Sequence, residues 1–271
     1  MSGKTVVLTG STGAIGGAVA AGLASSKQVS TLALVVRDAA KGERIAAPLR
    51  SSSLKVDVVV ADLTRPASVA ECAAHLRDTY GTIHALINNA AIVPPTREEV
   101  DGLECQFAVN VVAYLVLMRG LLPAMPQGGR VVCVASDFAG GLDLGDLQTS
   151  KKPYDVRAVY RTTKQANRMI AAEAAAEGRG FSEAGVSVVS CHPGVVTSSL
   201  LRNLGFGTGF DSAESGAALP LQLAIGPHEP PTGTYWGAGA SAGCLCSFGK
   251  DVNGRVALWK ACEEMAAARG C

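Results

Sequence analysis

Six short apolar runs, rich in β-branched residues, alternate along the chain with alanine-rich stretches of helical length. The runs are Thr5–Thr9, Thr31–Val36, Val56–Val60, Ile83–Asn88, Arg130–Ala135 and Val186–Cys191. They are apolar almost throughout, which is typical of strands covered by helices on both faces. Regular alternation of strand and helix indicates right-handed βαβ units around a parallel sheet. The predicted fold class is therefore α/β, a doubly wound parallel sheet of the Rossmann type.

The length and the apolar content predict one domain. At 271 residues with 48% hydrophobic residues, the chain can bury one substantial core, and it shows no tandem repeat or linker. We therefore assign residues 1–271 to a single domain. After about Gly194 the pattern becomes rich in glycine, proline and serine, until an amphipathic stretch from Val252 to Arg269. In a Rossmann enzyme such an irregular region usually caps the ligand crevice, and we assign that role to residues 195–235.

The charge balance argues against a nucleic acid or an anionic membrane as partner. The chain carries 24 Lys and Arg against 23 Asp and Glu, a formal net charge of +1, so no strong field would attract a polyanion. The N-terminus has neither a basic leader nor a long apolar stretch, which predicts a cytoplasmic protein without a transmembrane segment. The cysteines and histidines are dispersed, so no disulfide framework and no metal site are predicted. A small-molecule partner is expected, and homo-oligomer formation is left open.

A glycine-rich turn, Thr9-Gly10-Ser11-Thr12-Gly13-Ala14-Ile15-Gly16, follows the first predicted strand. Turns without side chains let backbone N–H groups approach a pyrophosphate at the N-terminus of the next helix. A glycine cluster alone is weak evidence, because any tight strand-to-helix turn gives the same pattern. Its place at the start of a βαβ series favours a dinucleotide site.

Arg37 and Asp38 follow the second predicted strand, where the adenosine ribose of a dinucleotide should lie. A guanidinium there can bind a 2′-phosphate through two parallel hydrogen bonds, whereas an NAD enzyme usually has a carboxylate at this point. The alternative is an ordinary solvated arginine at a strand end, and Asp38 complicates the interpretation. The arginine favours NADP(H) as the cofactor.

Tyr160 and Lys164 lie at the start of a predicted helix, and their four-residue separation puts phenol and ammonium on one face. A cation beside a phenol stabilises the phenolate, so we expect the pKa of Tyr160 to be lowered toward the working range of an acid/base. A Tyr and a Lys four apart occur by chance in many helices. The pair indicates a catalytic site only when it is considered together with two other residues. These are Ser136, at the end of the fifth predicted strand, and Asn110, in the preceding helix.

Together these residues resemble the catalytic set of the short-chain dehydrogenase/reductase superfamily. Its pattern is a glycine-rich turn, an Asn-Asn-Ala segment, here Asn88-Asn89-Ala90, then Ser and Tyr-x-x-x-Lys. The resemblance implies that Ser136 hydrogen-bonds the substrate oxygen and that Tyr160 donates or takes its proton. It also implies that Lys164 binds the nicotinamide ribose while tuning Tyr160, and that Asn110 holds a water in the proton relay.

The same resemblance implies cofactor-binding residues along nearly the whole chain. They are Gly10, Ser11, Gly13, Ile15, Gly16, Arg37, Asp62, Leu63, Asn88, Ala90, Tyr160, Lys164, Pro193, Gly194, Val196 and Ser198. Ser198 stands where Thr is common. Ala14 stands where the family usually has glycine, a spacing more like that of the extended branch. That branch normally has a larger C-terminal substrate domain than this chain can provide, so we interpret Ala14 as a tolerated small residue.

A closer likeness is to the retinol-dehydrogenase-like branch, which includes the light-dependent protochlorophyllide reductases and the WW-domain oxidoreductases. The segments that carry it are Arg37-Asp38, Leu142–Leu147, Asn167, His192–Val196 and Gly233–Trp236. The branch implies an NADP(H)-dependent oxidoreductase for a lipophilic aldehyde, ketone or alcohol. Reduction of a conjugated C=C bond, as in protochlorophyllide reductase, would use the same Tyr and Lys and stays open. So does a dinucleotide-binding regulatory module without turnover.

The stretch after Ser198 bears on the substrate. Its apolar residues, Leu200, Leu201, Leu204, Phe206 and Phe210, are interleaved with glycines. Apolar side chains on such a stretch beside the nicotinamide predict a lid over an apolar ligand. The alternative is that the leucines only pack a surface helix onto the sheet. No cluster of cations accompanies them beyond Arg202, so a multiply charged substrate would lack counter-charges.

Overall fold

Residues 3–238 and 243–271, the part of the chain that the computed structural model describes, contain a seven-stranded parallel sheet. The strands are β1 (Lys4–Thr9), β2 (Val29–Val36), β3 (Lys55–Val60), β4 (Ala85–Asn88), β5 (Glu99–Val100), β6 (Leu103–Glu104), β7 (Arg130–Val134), β8 (Ser187–Cys191) and β9 (Tyr235–Trp236). The order across the sheet is β3-β2-β1-β4-β7-β8-β9, while β5 and β6 form a separate antiparallel pair.

Helices pack on both faces of the sheet and create two apolar cores. They are α1 (Ala14–Ser25), α2 (Ala39–Ala46), α3 (Pro66–Tyr80), α4 (Cys105–Phe107), α5 (Ala113–Leu121), α6 (Val156–Ala174), α7 (Ser199–Asn203), α8 (Ala213–Ile225), α9 (Ser247–Lys250) and α10 (Val252–Ala267). A π-helical turn, Ala108–Val112, joins α4 to α5. Helices α1, α2 and α8 contribute to one core, and α3, α5, α6 and α10 to the other.

The central strands are buried on both faces. Every residue of β7 and β8 is buried, and successive side chains of a strand point to opposite faces. Val131 and Cys133 accordingly belong to one core, and Val132 and Val134 to the other. A strand with water on neither face needs apolar residues throughout, which explains the unbroken apolar runs. The predicted doubly wound parallel sheet is confirmed.

Two predicted strand limits are wrong by two residues. β2 begins at Val29 instead of Thr31, and β4 begins at Ala85 instead of Ile83. Pairing sets these limits, because Val29 is already in register with Lys4 of β1, and the ladder between β1 and β4 starts at Ala85. Composition alone does not show where a strand meets its neighbour.

The direction of strand order reverses between β1 and β4. The chain runs outward from β1 to β3 and then returns to the other side of β1. Ligands of open α/β sheets bind at such a reversal, beyond the carboxyl ends of the strands. The glycine-rich turn follows β1 and Asn89-Ala90 follows β4, so both segments lie at this crevice.

The predicted capping segment, residues 195–235, divides into two parts. The first part stays over the crevice, where Asp211 N donates to Val195 O at 3.0 Å and Gly209 N donates to Thr197 Oγ1 at 2.9 Å. Helix α8 instead packs into the core beside α1, with Ala217 and other apolar residues buried. The capping role predicted for the whole stretch is therefore wrong for residues 213–225, because their apolar side is buried against the sheet and α1.

One helical stretch among the described residues, Cys105–Ala124, is long and apolar enough to cross a membrane. Within its most apolar window, 72% of the residues are buried inside the protein, as they would be in a core helix. The predicted absence of a transmembrane segment stays a prediction.

The C-terminal helix α10 completes the core on the α6 side. Its Leu258, Trp259 and Cys262 are 0%, 1% and 0% exposed. The Trp259 indole Nε1 donates to Glu263 at 2.8 Å, and the Arg179 guanidinium lies 4.9 Å from the Trp259 ring centroid. This helix is part of the cooperative core.

We expect Trp259→Ala to lower the free energy of unfolding by about 3–5 kcal/mol, because the truncation leaves a large cavity in a packed core. Urea denaturation followed by circular dichroism measures it. Lys260→Ala, one residue along α10 with a side chain 75% exposed, should leave the midpoint nearly unchanged. Equal midpoints for the two variants would mean that α10 does not belong to the core.

Candidate active site

A cavity of about 810 Å³ lies at the carboxyl edge of the sheet. It brings together most of the residues that the sequence predicted as a site. Those that line it are Gly10, Gly13, Ile15, Gly16, Arg37, Asp62, Leu63, Ala90, Ser136, Tyr160, Lys164, Pro193, Gly194, Val196 and Ser198. The residues come from the ends of six different strands and from helices, so the fold assembles them without sequence proximity.

Ser11, Asn88 and Asn110 are not among the lining residues. The Ser11 side chain is buried, and its hydroxyl has no hydrogen-bond partner in the described part of the chain. Asn88 Nδ2 donates to Tyr114 O at 3.3 Å, so its amide faces α5. The side chains of Ser11 and Asn88 do not reach the cavity, because both point into the packed interior beneath the cavity.

Asn89 takes the position that Asn88 was predicted to hold. It lines the cavity, and its Nδ2 donates to Thr9 O at 3.0 Å and Gly10 O at 3.2 Å. The Thr9 hydroxyl in turn accepts from the backbone N–H groups of Asn89 and Ala90. These bonds tie the end of β1 to the end of β4. The adjacent Asn-Asn pair was the only signal for this clamp in the sequence.

The glycine-rich turn packs too closely against neighbouring backbone for side chains at two of its positions. Gly10 has φ +71°, and a Cβ on it would lie 2.7 Å from Ala90 Cα. A Cβ on Gly16 would lie 2.1 Å from Gly10 O. The N-cap of α1, Gly13, gives no side-chain hydrogen bond to the first turn, and Ala14 occupies the first helical position. The first turn of α1 thus has no side-chain cap and lines the cavity, and its N–H groups fit a pyrophosphate.

Asp38 acts as a helix cap beside Arg37. Its carboxylate accepts from Lys41 N at 3.0 Å at the start of α2. This hydrogen bond lowers the pKa of Asp38. Asp38 lines the cavity together with Arg37, and Lys41 adds a second cation to the lining.

The first turns of α6 direct Tyr160 and Lys164 into the cavity. Asp155 caps the helix by accepting from Arg157 N and Ala158 N. Tyr160 is 7% exposed and Lys164 is 2% exposed. The Lys164 Nζ lies 5.6 Å from the Tyr160 ring centroid and donates to Val134 O at 2.7 Å. The predicted common face is present, and the ammonium is anchored to β7.

The expected lowering of the Tyr160 pKa is wrong for this structure. Burial raises the pKa of Tyr160 to about 12, and a hydrogen bond with the Ser136 side chain opposes this effect. Burial also lowers the pKa of Lys164 to about 8. Desolvation by burial is the dominant cause of the shift at both residues. The phenol therefore keeps its proton at neutral pH and can act as an acid.

Asn110 lies in the π-helical turn, with its side chain committed to the loop after β4. Its Oδ1 accepts from Ile92 N at 2.9 Å, and its Nδ2 donates to Ile92 O at 3.2 Å. Its main-chain oxygen accepts from Asn167 Nδ2 at 2.6 Å. A π turn releases carbonyls from the regular helical ladder, which makes this bond available. The water-holding role stays a prediction.

Arg168 supports the segment that carries Ser136, and the sequence analysis missed it. Its Nη2 donates to Ser136 O, to Asp137 Oδ1 at 3.0 Å and to the Tyr235 hydroxyl at 2.8 Å. The Tyr235 hydroxyl donates to the Asp137 carboxylate, and the guanidinium lies 3.6 Å from the Tyr235 ring centroid. Arg168 lies one helical turn after Lys164 on α6, and this position was the sequence signal that could have identified it.

Residues 198–210, which we call the lid, form the apolar wall of the cavity. Leu200, Leu201, Leu204, Phe206 and Phe210 all line it. Leu204 also packs in a buried cluster with Tyr160. These residues therefore face the cavity, and their role as a lid over an apolar ligand stays a prediction.

Comparisons with known proteins agree with this architecture. The chain matches the family model for short chain dehydrogenases over residues 4–206. It is 34% identical over 247 residues to DnrU of Streptomyces sp. (strain C5), a protein named for daunorubicin C-13 ketoreductase activity, covering 87% of this chain and 83% of that protein. It is 31% identical over 250 residues to retinol dehydrogenase 12 of Mus musculus, covering 86% of this chain and 77% of that protein.

Solved structures show the same fold. An uncharacterized protein from Mycobacterium paratuberculosis superimposes with a TM-score of 0.78 at 27% identity, over 97% of this chain and 93% of that chain. A short chain dehydrogenase from Burkholderia cenocepacia, solved in complex with NADP, gives a TM-score of 0.68 at 21% identity, over 86% of this chain and 95% of that chain.

The buried Lys164 ammonium generates a stability prediction. A pKa lowered from 10.5 to about 8 corresponds to roughly 3 kcal/mol against the charged form. The hydrogen bond to Val134 opposes this by about 1 kcal/mol. We expect Lys164→Met to raise the free energy of unfolding at pH 7 by about 1–2 kcal/mol, measured by urea denaturation.

The pH dependence of the free energy of unfolding tests whether desolvation of Lys164 is the cause. Between about pH 8 and the ordinary pKa of 10.5, the unfolded chain holds a proton on Lys164 that the folded chain has lost, so wild-type stability rises with pH. The advantage of Lys164→Met should shrink over that range. Lys260→Met, at an exposed lysine, should show neither effect. A destabilised Lys164→Met protein at pH 7 would contradict the desolvation argument.

Proposed function

The chain belongs to the short-chain dehydrogenase family, in its retinol-dehydrogenase-like branch, and we propose that it is an NADP(H)-dependent oxidoreductase for lipophilic carbonyl compounds and their alcohols. One observation carries the proposal. The buried, protonated Tyr160 phenol lines the same cavity as the glycine-rich turn, Arg37 and the apolar lid.

The lining residues fit a phosphorylated dinucleotide. The N-terminus of α1 has no side-chain cap and lines the cavity at Gly13 and Ala14, so its N–H groups suit a pyrophosphate. Arg37 and Lys41 supply positive charge for a 2′-phosphate, which favours NADP(H) over NAD(H). When bound, the cofactor's nicotinamide supplies or accepts the hydride.

The proton chemistry belongs to Ser136, Tyr160 and Lys164. In the reducing direction, the Ser136 hydroxyl hydrogen-bonds the substrate oxygen and Tyr160 donates its phenolic proton to that oxygen as the alcohol forms. The Lys164 ammonium, below its pKa of about 8, stabilises the phenolate left behind. In the oxidising direction the phenolate takes the proton back. Phe138 N donates to Ser136 Oγ at 3.1 Å, which fixes the direction of the hydroxyl.

The substrate class follows from the wall beside Tyr160. Apolar lid residues and Phe138 surround the approach to the phenol, so an apolar tail is buried there at roughly 0.8 kcal/mol per methylene. The relatives named as a retinol dehydrogenase and as a daunorubicin C-13 ketoreductase support a carbonyl/alcohol couple.

We expect Tyr160→Phe to lower turnover of an apolar aldehyde with NADPH by about 10²–10⁴-fold, because it removes the proton donor and little packing. The loss of NADPH absorbance measures turnover, and fluorescence titration should show NADPH binding largely intact. Tyr80→Phe removes a phenol hydroxyl that bonds Asp57 outside the cavity, and should keep wild-type turnover. Undiminished turnover in Tyr160→Phe would reject the assignment.

We expect Arg37→Ala to weaken NADPH binding by about 1–3 kcal/mol while changing NADH binding little, since the lost contact involves only the 2′-phosphate. Titration of both cofactors against the wild type and the variant measures the difference. Arg44→Ala, an exposed arginine of α2 outside the cavity lining, controls for the general loss of positive charge. Equal losses for NADPH and NADH would show that Arg37 does not bind the phosphate.

A further inference from the structure

The end of α7 exposes two main-chain oxygens. Gly205 N donates to Arg202 O at 2.8 Å and Phe206 N donates to Leu201 O at 3.1 Å. With Gly205 at φ +75°, this is a Schellman ending, which satisfies the carbonyls inside the helix. The carbonyls of Leu204 and Gly205 follow it and need other partners.

The Arg157 side chain donates hydrogen bonds to both of these carbonyls. It stands on α6, three residues before Tyr160, and its Nε donates to Leu204 O at 2.5 Å while its Nη2 donates to Gly205 O at 3.2 Å. The same guanidinium lies 4.9 Å from the Phe206 ring centroid. One arginine therefore binds the lid through its main chain and an aromatic side chain.

The contact fixes the apolar wall above the reacting phenol. The Phe206 ring packs edge-on against Phe138 with centroids 5.7 Å apart, and Phe138 stacks on Tyr160 at 6.4 Å. On the other side of the lid, Asn203 Nδ2 donates to Val93 O at 3.1 Å. Arg157 does not line the cavity, so it acts on a substrate only through the lid.

We propose that Arg157 is a positioning residue that latches the lid onto the helix carrying Tyr160 and thereby sets the preference for long apolar substrates. The proposal rests on the proposed function for its substrate and on the contacts above for the latch itself. A short aldehyde reaches Tyr160 without touching Phe206, whereas a long one buries its tail against the wall that Arg157 holds. The contribution of the latch to binding therefore grows with the length of the substrate.

Arginine suits this position better than lysine. Its planar guanidinium donates to two neighbouring carbonyls and stacks on an aromatic face at once, which a single ammonium does not do. Arg202 provides a matched control because it lies on the lid itself, is exposed, and its side chain has no hydrogen-bond or ion-pair partner among the described residues. Removing it takes one positive charge from the lid without touching the contacts of Arg157.

The latch is tested first without turnover, by limited chymotrypsin digestion with mass spectrometry of the fragments. Phe206 and Phe210 are 40% and 93% exposed and are cleavage sites within the lid. We expect Arg157→Ala to accelerate cleavage at these two sites by about fivefold, the effect of losing one net hydrogen-bonding contact, with Arg157→Lys intermediate and Arg202→Ala at the wild-type rate. A wild-type rate in Arg157→Ala would overturn the latch.

The substrate preference is tested with NADPH and straight-chain aldehydes from butanal to dodecanal. We expect Arg157→Ala to raise KM for dodecanal about fivefold, while KM for butanal, kcat for both and NADPH affinity stay within about twofold. Arg157→Lys should recover part of the dodecanal KM. An equal KM change for butanal and dodecanal would overturn the role in specificity. Accelerated cleavage with no turnover by the wild type would instead reject the proposed function and leave the latch standing.

Discussion

The active-site cavity depends on one constraint, that every strand of the sheet runs in the same direction with helices on both faces. Parallel strands end at a common edge, so the residues that follow them meet there whatever their separation along the chain. Gly10 follows β1, Arg37 follows β2, Ala90 follows β4, Ser136 follows β7 and Pro193 follows β8. Polar chemistry is concentrated at this edge because the strands themselves are buried among apolar side chains.

Desolvation at this edge sets the protonation states of the two α6 side chains in the cavity, Tyr160 and Lys164. Burial raises the pKa of the Tyr160 phenol to about 12 and lowers the pKa of Lys164 to about 8. Both shifts favour the neutral forms, so the folded protein has a phenol ready to donate a proton and holds a lysine charge at a cost in stability. Functional sites often contain groups with such perturbed pKa values. Ser136 and Val134 hold the pair through hydrogen bonds that no sequence pattern specifies.

The sequence predicted the sheet and most of the cavity lining, because both depend on periodicity and on positions at strand ends. It did not predict the direction of the asparagine side chains near the cavity. Asn88 points beneath the cavity and Asn89 into its lining, although they are neighbours with the same side chain. The Asn110 amide binds Ile92, because a π turn fixes its orientation. The buried Arg168 guanidinium donates a hydrogen bond to the Tyr235 hydroxyl. The two residues are far apart in the chain, so no local sequence pattern shows this contact.

Reduction of a carbonyl group, with Tyr160 as proton donor, is tested most directly with an α,β-unsaturated aldehyde. Such a substrate offers a carbonyl and a conjugated C=C bond to the same enzyme. The purified protein is incubated with NADPH and cinnamaldehyde, NADPH consumption is followed by absorbance, and the products are identified by mass spectrometry against standards. Because Ser136 and Tyr160 act on the oxygen, we expect the allylic alcohol in a one-to-one ratio with NADPH consumed. The saturated aldehyde as product, or NADPH left unconsumed across a panel of apolar aldehydes, would contradict it.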